Sequence, residues 1–413
     1  MPNSPAPSST LVNRRTAVVL LLGFSSGLPL ALTGGTLQAW LTTSGVDTAT
    51  IAAFSLVGLP YVLKFIWAPF MDRFVPPLLG RRRGWMLMTQ SLLMGLLFVM
   101  AYSEPRNSVA TIGALALGIA FLSASQDIAI DAYRADLLQP SERGFGAATS
   151  VAGYRVAMLV SGGLALILAD HAGWPVTYSL MAVLVSIGMV SAVLGPEPAQ
   201  SVTPPASLVL AAVDPFLNFL RRDRAVWLLA LVFLYKLGDA FAGTLTTTFL
   251  IRAMEFSLTD VGIVNKWLGV AATLAGGLAG GALMLRHGLF KCLLLFGALQ
   301  ALTNLGFMAL AIAGRSYAGM VGAVVLENLA GGMGTAVFVA LLMSLCDHRY
   351  TATQFALLSA VAALGRVIIG PPAGMLVDSV GWAWFFLVSF LVALPGLGIL
   401  LFLRAEVQEY ARR

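Results

Sequence analysis

Gly195-Pro-Glu-Pro-Ala-Gln-Ser-Val-Thr-Pro-Pro205 cannot continue a helix, because each proline removes a backbone donor and crowds the preceding turn. On either side of it the chain reads as six apolar runs, each near the ~20 residues that a helix needs to cross a bilayer. Before it they lie near 16–41, 49–70, 84–102, 108–133, 145–169 and 175–194; after it, near 225–250, 259–285, 291–313, 317–345, 354–377 and 383–403. The expected fold class is an all-α membrane protein with twelve transmembrane helices. Its expected division is 1–15 as a disordered N-terminus, 16–194 and 225–404 as two six-helix bundles, 195–224 as a linker, and 405–413 as the C-terminus. Within the linker, Asp214 to Arg224 reads as a short amphipathic segment.

Composition makes the same demand. Of 413 residues 58% are hydrophobic and 11% charged, with a mean hydropathy of +0.87, whereas soluble domains are ~45–50% apolar. A net charge of +6 points to nucleic acid in a soluble protein, but here the arginines cluster between apolar runs, where they orient a membrane protein. No nucleic-acid partner is expected. Counting the breaks alternately places Arg14, Arg15, Arg73, Arg81, Arg82, Arg83, Arg143, Arg221, Arg222, Arg224, Arg286, Lys291, Arg349, Arg404, Arg412 and Arg413 on one side. The other side has only Arg106, Arg252 and Arg315. That asymmetry puts both termini in the cytoplasm. The first apolar run is long and lacks a small-residue cleavage site, so no removable signal peptide is expected. Cys292 and Cys346 fall near cytoplasmic helix ends with no histidine neighbourhood, which predicts two reduced thiols and no metal.

The halves repeat. Glu142-Arg-Gly-Phe-Gly-Ala-Ala-Thr-Ser-Val-Ala-Gly-Tyr-Arg155 opens span 5, and Thr353-Gln-Phe-Ala-Leu-Leu-Ser-Ala-Val-Ala-Ala-Leu-Gly-Arg366 opens span 11. Each runs from a loop to an arginine and is followed by a Gly-rich patch, Ser161-Gly-Gly163 or Gly370-Pro-Pro-Ala-Gly374. The loop after span 2, Met71-Asp-Arg-Phe-Val-Pro-Pro-Leu-Leu-Gly-Arg-Arg-Arg83, has a weaker partner in Leu285-Arg-His-Gly-Leu-Phe-Lys291. That loop resembles the signature loop of the major facilitator superfamily, stretched by an insert, and an ordinary basic loop obeying the positive-inside rule is the alternative. The resemblance implies the major facilitator fold, two pseudo-symmetric bundles with spans 1, 4, 7 and 10 lining a central cavity.

An ionised side chain at bilayer depth costs at least ~2.5–3.5 kcal/mol on insertion scales, so each one needs a partner, a cavity or a role. There are only four lysines, and Lys64, Lys236 and Lys266 lie inside spans 2, 7 and 8. Arg155 and Arg366 lie in spans 5 and 11, Asp127 and Asp131 in span 4, Asp239 in span 7 and Glu327 in span 10. The four acids are the candidates for proton coupling, with Asp127 the deepest in span 4 and the favoured one. Asp131 and Arg134 share its helix face and read equally well as a structural network near the Asp72 loop. Lys236 and Asp239, one turn apart, read either as a functional pair or as mutual neutralisation. All three histidines, His171, His287 and His348, fall at or beyond span ends, which leaves carboxylates to carry protons and leaves an intramembrane enzyme without a base or metal site.

Arg155, Arg366, Lys236 and Lys266 suit the carboxylates of an anionic substrate or, alternatively, internal ion pairs. Lys64, Gln126, Tyr61 and Tyr154 join them as candidate binding residues, with Trp67 and Trp267 as candidate faces for a sugar ring. Trp40, Trp67, Trp227, Trp267, Trp382 and Trp384 lie near span ends and are expected mostly as interfacial anchors. Gly27 and Pro29 sit in the Gly-rich stretch Gly23-Phe-Ser-Ser-Gly-Leu-Pro-Leu-Ala-Leu-Thr-Gly-Gly35, where a helix bends and neighbours approach closely. With Asp72, Arg73, Arg83 and Arg134 they form the expected gating set.

Gly23 to Leu32, Leu59-Pro-Tyr-Val-Leu-Lys-Phe-Ile-Trp-Ala-Pro-Phe-Met-Asp-Arg73, Arg81-Arg-Arg-Gly-Trp85 and Ser125-Gln-Asp-Ile-Ala-Ile-Asp-Ala-Tyr-Arg134 resemble the AmpG muropeptide permeases, strongly through the first half and more loosely in the second. The resemblance implies import of anhydro-muropeptides, GlcNAc-anhydroMurNAc peptides from cell-wall turnover, from periplasm to cytoplasm of a Gram-negative inner membrane. It also implies drive by the proton motive force, no cofactor and a link to peptidoglycan recycling and β-lactamase induction. Lipids and protons are the expected partners of a monomer. Some relatives carry extra helices between the halves or at the C-terminus, for which this chain has no room. A related carrier for another anionic conjugate, such as an acyl-coenzyme A, is the alternative.

Overall fold

The computed structural model describes residues 13–77, 79–106, 108–138, 143–197, 217–347 and 351–411, with side chains except at 72, 143–145, 147 and 351–353. Twelve helices in it are long and apolar enough to span a membrane: α1 (Arg14–Thr43), α2 (Thr48–Ile66), α3 (Gly80–Ala101), α4 (Val109–Leu137), α5 (Ala148–Ala172), α6 (Trp174–Leu194), α7 (Ala225–Ala253), α8 (Leu258–His287), α9 (Leu289–Ala313), α10 (Tyr317–Ser344), α11 (Gln354–Val380) and α12 (Trp382–Phe402). They form two six-helix bundles, α1–α6 and α7–α12. The start of α1 and the end of α12 share one face of the molecule, called here the terminal face.

Small polar residues set the starts. Asn13, Asp47, Ser108, Ser257 and Ser316 cap α1, α2, α4, α8 and α10, each accepting from a backbone N–H of the first turn, which satisfies donors the helix cannot. Gly173 and Gly381 hold the turns between α5 and α6 and between α11 and α12 with φ +81 in both, and each precedes a tryptophan that begins the next helix. Only glycine adopts that backbone without strain, so the two halves repeat here as well.

The spans match expectation to within a few residues, and the differences are local. The helix of α4 runs to Leu137, a turn past the expected end, and Asp136 there pairs with Arg82 of α3 at 3.2 Å. Tight turns at Phe54–Gly58 and Lys64–Ile66 interrupt α2, and wide π-turns do so in α5 (Leu159–Leu164), α7 (Phe249–Ala253) and α8 (Gly262–Leu268). The break in α1 falls at Gly34 rather than at Pro29, which sits inside the first helical stretch Arg14–Thr33. Of the expected amphipathic segment only 217–224 is described, and Asp214 falls outside the described residues.

Within each bundle helices approach backbone to backbone. A Cβ at Gly27 would meet the Tyr154 carbonyl oxygen at 2.6 Å, and one at Gly23 or Gly153 would overlap the backbone of Ser150 or Leu20, which joins α1 to α5. Gly276 and Gly332 do the same for α8 and α10, against Leu329 and Thr273. The bundles meet each other toward the face away from the termini and at mid-depth, through α2 with α11, α5 with α8, and the end of α1 with the end of α7. Toward the terminal face the described ion pairs stay inside one bundle: Arg83–Glu197 and Lys64–Asp131 in the first, Arg224–Glu406 in the second.

Candidate functional site

Where the bundles diverge, a cavity of about 610 Å³ opens between them. Thr33, Gln38, Ser55 and Tyr61 of the first bundle face Asp239, Thr244, Thr247, Lys266, Glu327 and Arg366 of the second. The charge is therefore one-sided: every carboxyl, lysine or arginine lining the cavity comes from the second bundle. Lys236 and Asp239 form an ion pair at 2.9 Å, so the neutralisation anticipated from their spacing is real. Asp239 also meets the carboxyl of Glu327 within hydrogen-bonding reach, and Glu327 accepts from Asn328 Nδ2 at 2.7 Å. Arg366 stands exposed with no acid at ion-pair distance among the described residues. The buried Tyr61 hydroxyl interacts with the side chains of Ser123 and Thr33, although none of these contacts reaches full hydrogen-bond geometry at Tyr61 or Ser123.

The floor of the cavity is closed by polar contacts between the bundles. Gln38 Nε2 donates to Thr244 O at 2.5 Å, and Thr42 and Thr248 share a hydroxyl contact at 3.1 Å. Arg252, at the end of α7, donates to Thr42 O at 3.1 Å, Val46 O at 2.5 Å and Thr48 Oγ1 at 3.3 Å. Asp170 of α5 accepts from the backbone N–H and hydroxyl of Thr259, at the start of α8, at 3.1 and 2.5 Å. Neutral hydrogen bonds contribute about 0.5–1.5 kcal/mol and charged ones about 1.5–3, so this closure holds several kcal/mol that opening must offset.

A second polar cluster lies in the first bundle. Ser26 donates to Asp127 Oδ1 at 2.6 Å, with Lys64, Tyr61 and Tyr154 in electrostatic range. Asp131 bridges Arg134 at 3.1 Å and Lys64 at 3.9 Å, and Arg134 also donates to Ser150 Oγ. Asp131 and Arg134 thus pair with each other, and the expected tie to Asp72 falls outside the described side chains. Arg155 is exposed without an ion pair among the described residues, and Arg73 is exposed. Arg83 ties the start of α3 to Ala192 O, Val193 O and Glu197 beyond α6.

Several candidates do not reach the cavity. Gln126 is fully buried, donating to Ser25 O at 2.9 Å, and braces α4 on α1. Trp67 donates to Ser125 Oγ and lies against Phe121 of α4. Trp267 is wedged against Gly163 at the α5–α8 seam, 47% exposed. Trp40 is no interfacial anchor: it is buried and stacked on Trp174 at 5.6 Å, whereas Trp227 and Trp384 are exposed. Conversely Gln38, Thr244, Thr247, Ser55, Asp170 and Arg252 serve the cavity or its closure without having been singled out. Polar residues at turn spacing in Thr244 and Thr247, and Gln38 in an apolar run, were the available signals.

Two bundles enclosing a charged cavity that is open toward one face and closed toward the other define a membrane carrier of the alternating-access type. Residues 19–368 match the model of the Major Facilitator Superfamily. The anhydromuropeptide permease of Escherichia coli K12 is 53% identical over 96% of this chain and 81% of that protein, and a putative transporter, AmpG 4, of Rickettsia felis is 35% identical over 94% and 96%. In fold the chain is similar to a POT family transporter crystallised with 5-aminolevulinic acid, at a TM-score of 0.76, 14% identity and 98% coverage of both chains. This chain belongs to the Major Facilitator Superfamily and, within it, to the AmpG permeases. It is a multi-pass membrane carrier rather than an enzyme, and it works without a cofactor.

Proposed function

We propose that this carrier imports anhydro-muropeptides from periplasm to cytoplasm across a bacterial inner membrane, coupled to protons, for peptidoglycan recycling. The observation that carries the reading is the cavity wall of the second bundle, where a carboxyl pair sits beside Lys266 and Arg366, together with 53% identity to an anhydromuropeptide permease. The peptide stem of such a cargo is acidic and its sugars offer hydroxyls, which suit bases, Gln38, Tyr61 and the threonines of this wall. With both termini cytoplasmic, as the arginine asymmetry argues, the terminal face is the cytoplasmic one and the structure is inward-facing.

Lys236 balances one carboxylate of the Asp239–Glu327 pair, which leaves the other free to load and release a proton as the cavity changes sides. Asp127, in the first bundle, is the competing proton carrier. Uptake of labelled anhydro-muropeptide into inside-oriented vesicles, with and without a pH gradient and with acyl-coenzyme A as competitor, tests the cargo. Uptake blocked by acyl-coenzyme A and indifferent to muropeptide would reject it. Glu327→Gln is expected to abolish uphill uptake while counterflow survives, and Asp127→Asn to retain uphill uptake; the reverse pattern moves the proton to Asp127.

A further inference from the structure

Lys266 belongs to α8 of the second bundle, yet its side chain crosses the seam and lies over the first. A Cβ at Gly35 would stand 2.9 Å from its Nζ and 3.6 Å from its Cε, and one at Gly162 would stand 3.8 Å from its Cδ. Its hydrogen bond is a long one, 3.4 Å to Thr247 Oγ1, and no carboxylate lies at ion-pair distance among the described residues. An ammonium at mid-membrane without an acid on it is a costly arrangement, and an anion supplied from the cavity would complete it. Gly35 opens the second helical stretch of α1 directly after the break at Gly34, and it lines the cavity beside Lys266.

We propose that Gly35 is a positioning residue for transport: its missing side chain is the notch that lets the Lys266 ammonium reach across the seam to the cavity floor, where it takes a carboxylate of the cargo. The inference rests on the acidic cargo proposed above. Because the seam closes on one side of Lys266 and the cavity opens on the other, this ammonium is handed from one access path to the other when the bundles rock. A methyl group at 35 meets only the far end of a flexible lysine, so the fold has little to resist and the ammonium has to move. One at Gly162 touches the lysine stem at ordinary contact distance.

The test compares acidic muropeptide with the same fragment amidated at its carboxyls, in uptake by the full-length protein. Lys266→Gln is expected to raise KM for the acidic fragment roughly tenfold or more with little change for the amidated one. Gly35→Ala is expected to raise it severalfold in the same selective way with kcat unchanged, and Gly162→Ala to leave both KM values alone. In a Lys266→Gln background, Gly35→Ala should add nothing. Equal effects on the two fragments, an undiminished Gly35→Ala effect without Lys266, or a Gly162→Ala effect as large would overturn the inference. Absence of muropeptide uptake by the unmutated protein would instead overturn the cargo, and the inference with it.

Discussion

Two of the seams between the bundles, α5 with α8 and α2 with α11, are built on different plans. At one, α5 and α8 meet through glycines and π-turns, Gly163 against Trp267 and Gly262 against the Gly163 carbonyl, but each is clamped to its own bundle, α5 to α1 and α8 to α10. At the other, α2 and α11 pack on each other through Gly370 and Gly374 against Ala52, Ser55 and Ala49, and each is held more loosely by its own bundle. The sequence repeat pairs α5 with α11 and the loop after α2 with the loop after α8, so the packing breaks the symmetry that the repeat suggests. Both seams belong to the closed face, and the difference lies in their support: the α5–α8 seam joins helices packed tightly into their own bundles, whereas the α2–α11 seam joins helices held more loosely by theirs.

The sharpest way to break this comparison is to insert a side chain into each kind of contact. Gly332→Val drives methyls into the Thr273 backbone of α8, where neither helix has room to retreat; it is expected to cost on the order of 1–3 kcal/mol or more and to lower folded yield and thermal stability. Gly374→Val meets Ala52 Cβ at 2.6 Å and Ala49 Cα at 2.8 Å across the α2–α11 seam. It is expected to keep near-native thermal stability, to wedge the closed face apart and to make a cysteine placed at Thr247 reactive toward an impermeant thiol reagent from that side. If the two variants unfold alike, the α8–α10 contact inside the bundle is no more rigid than the α2–α11 seam between the bundles.

The smallest effect is expected at Asp47→Ala, beside the same seam. Asp47 caps α2, and its hydrogen bonds from Thr50 hold its carboxyl below the usual 3.8. A depressed value contributes stability that is full above 3.8 and fades as pH falls through the lowered value. Loss of the cap is expected to cost about 0.5–2 kcal/mol at neutral pH. A melting-temperature difference between Asp47→Ala and the unmutated protein should therefore be present at pH 7 and shrink below the carboxylate range; a constant difference would show that the cap is not its source.

The spans were legible because a bilayer leaves few alternatives to long apolar runs, and the charged wall was legible because charge is rare there. Asp239, Lys266, Glu327 and Arg366 stood out for that reason and line one cavity. Orientation about the helix axis was not legible. Trp267 adjoins Lys266 in sequence, so the two point to different sides of the same helix, and one reaches the cavity while the other fills the seam. Threonines were hidden for another reason: Thr244 satisfies its hydroxyl on its own helix, at Ala240 O 2.7 Å away, so it costs little in an apolar run and leaves no mark. The π-turns that bring Lys266 round to the first bundle shift helix phase by a residue, which no regular periodicity announces.

Arg252 ends on main-chain oxygens of Thr42 and Val46, with only a hydroxyl from Thr48 among side chains. A carbonyl has no proton to gain in mild acid and is present whatever residue carries it. Replacing the side chains of 42 and 46 leaves both acceptors in place, and acidifying the medium outside leaves them unchanged. The Arg252 clasp therefore has no titrating acceptor of its own, and the carboxylates that acid would reach on the closed face include Asp170, which accepts from Thr259, and Asp47, which lies in electrostatic range of Arg252.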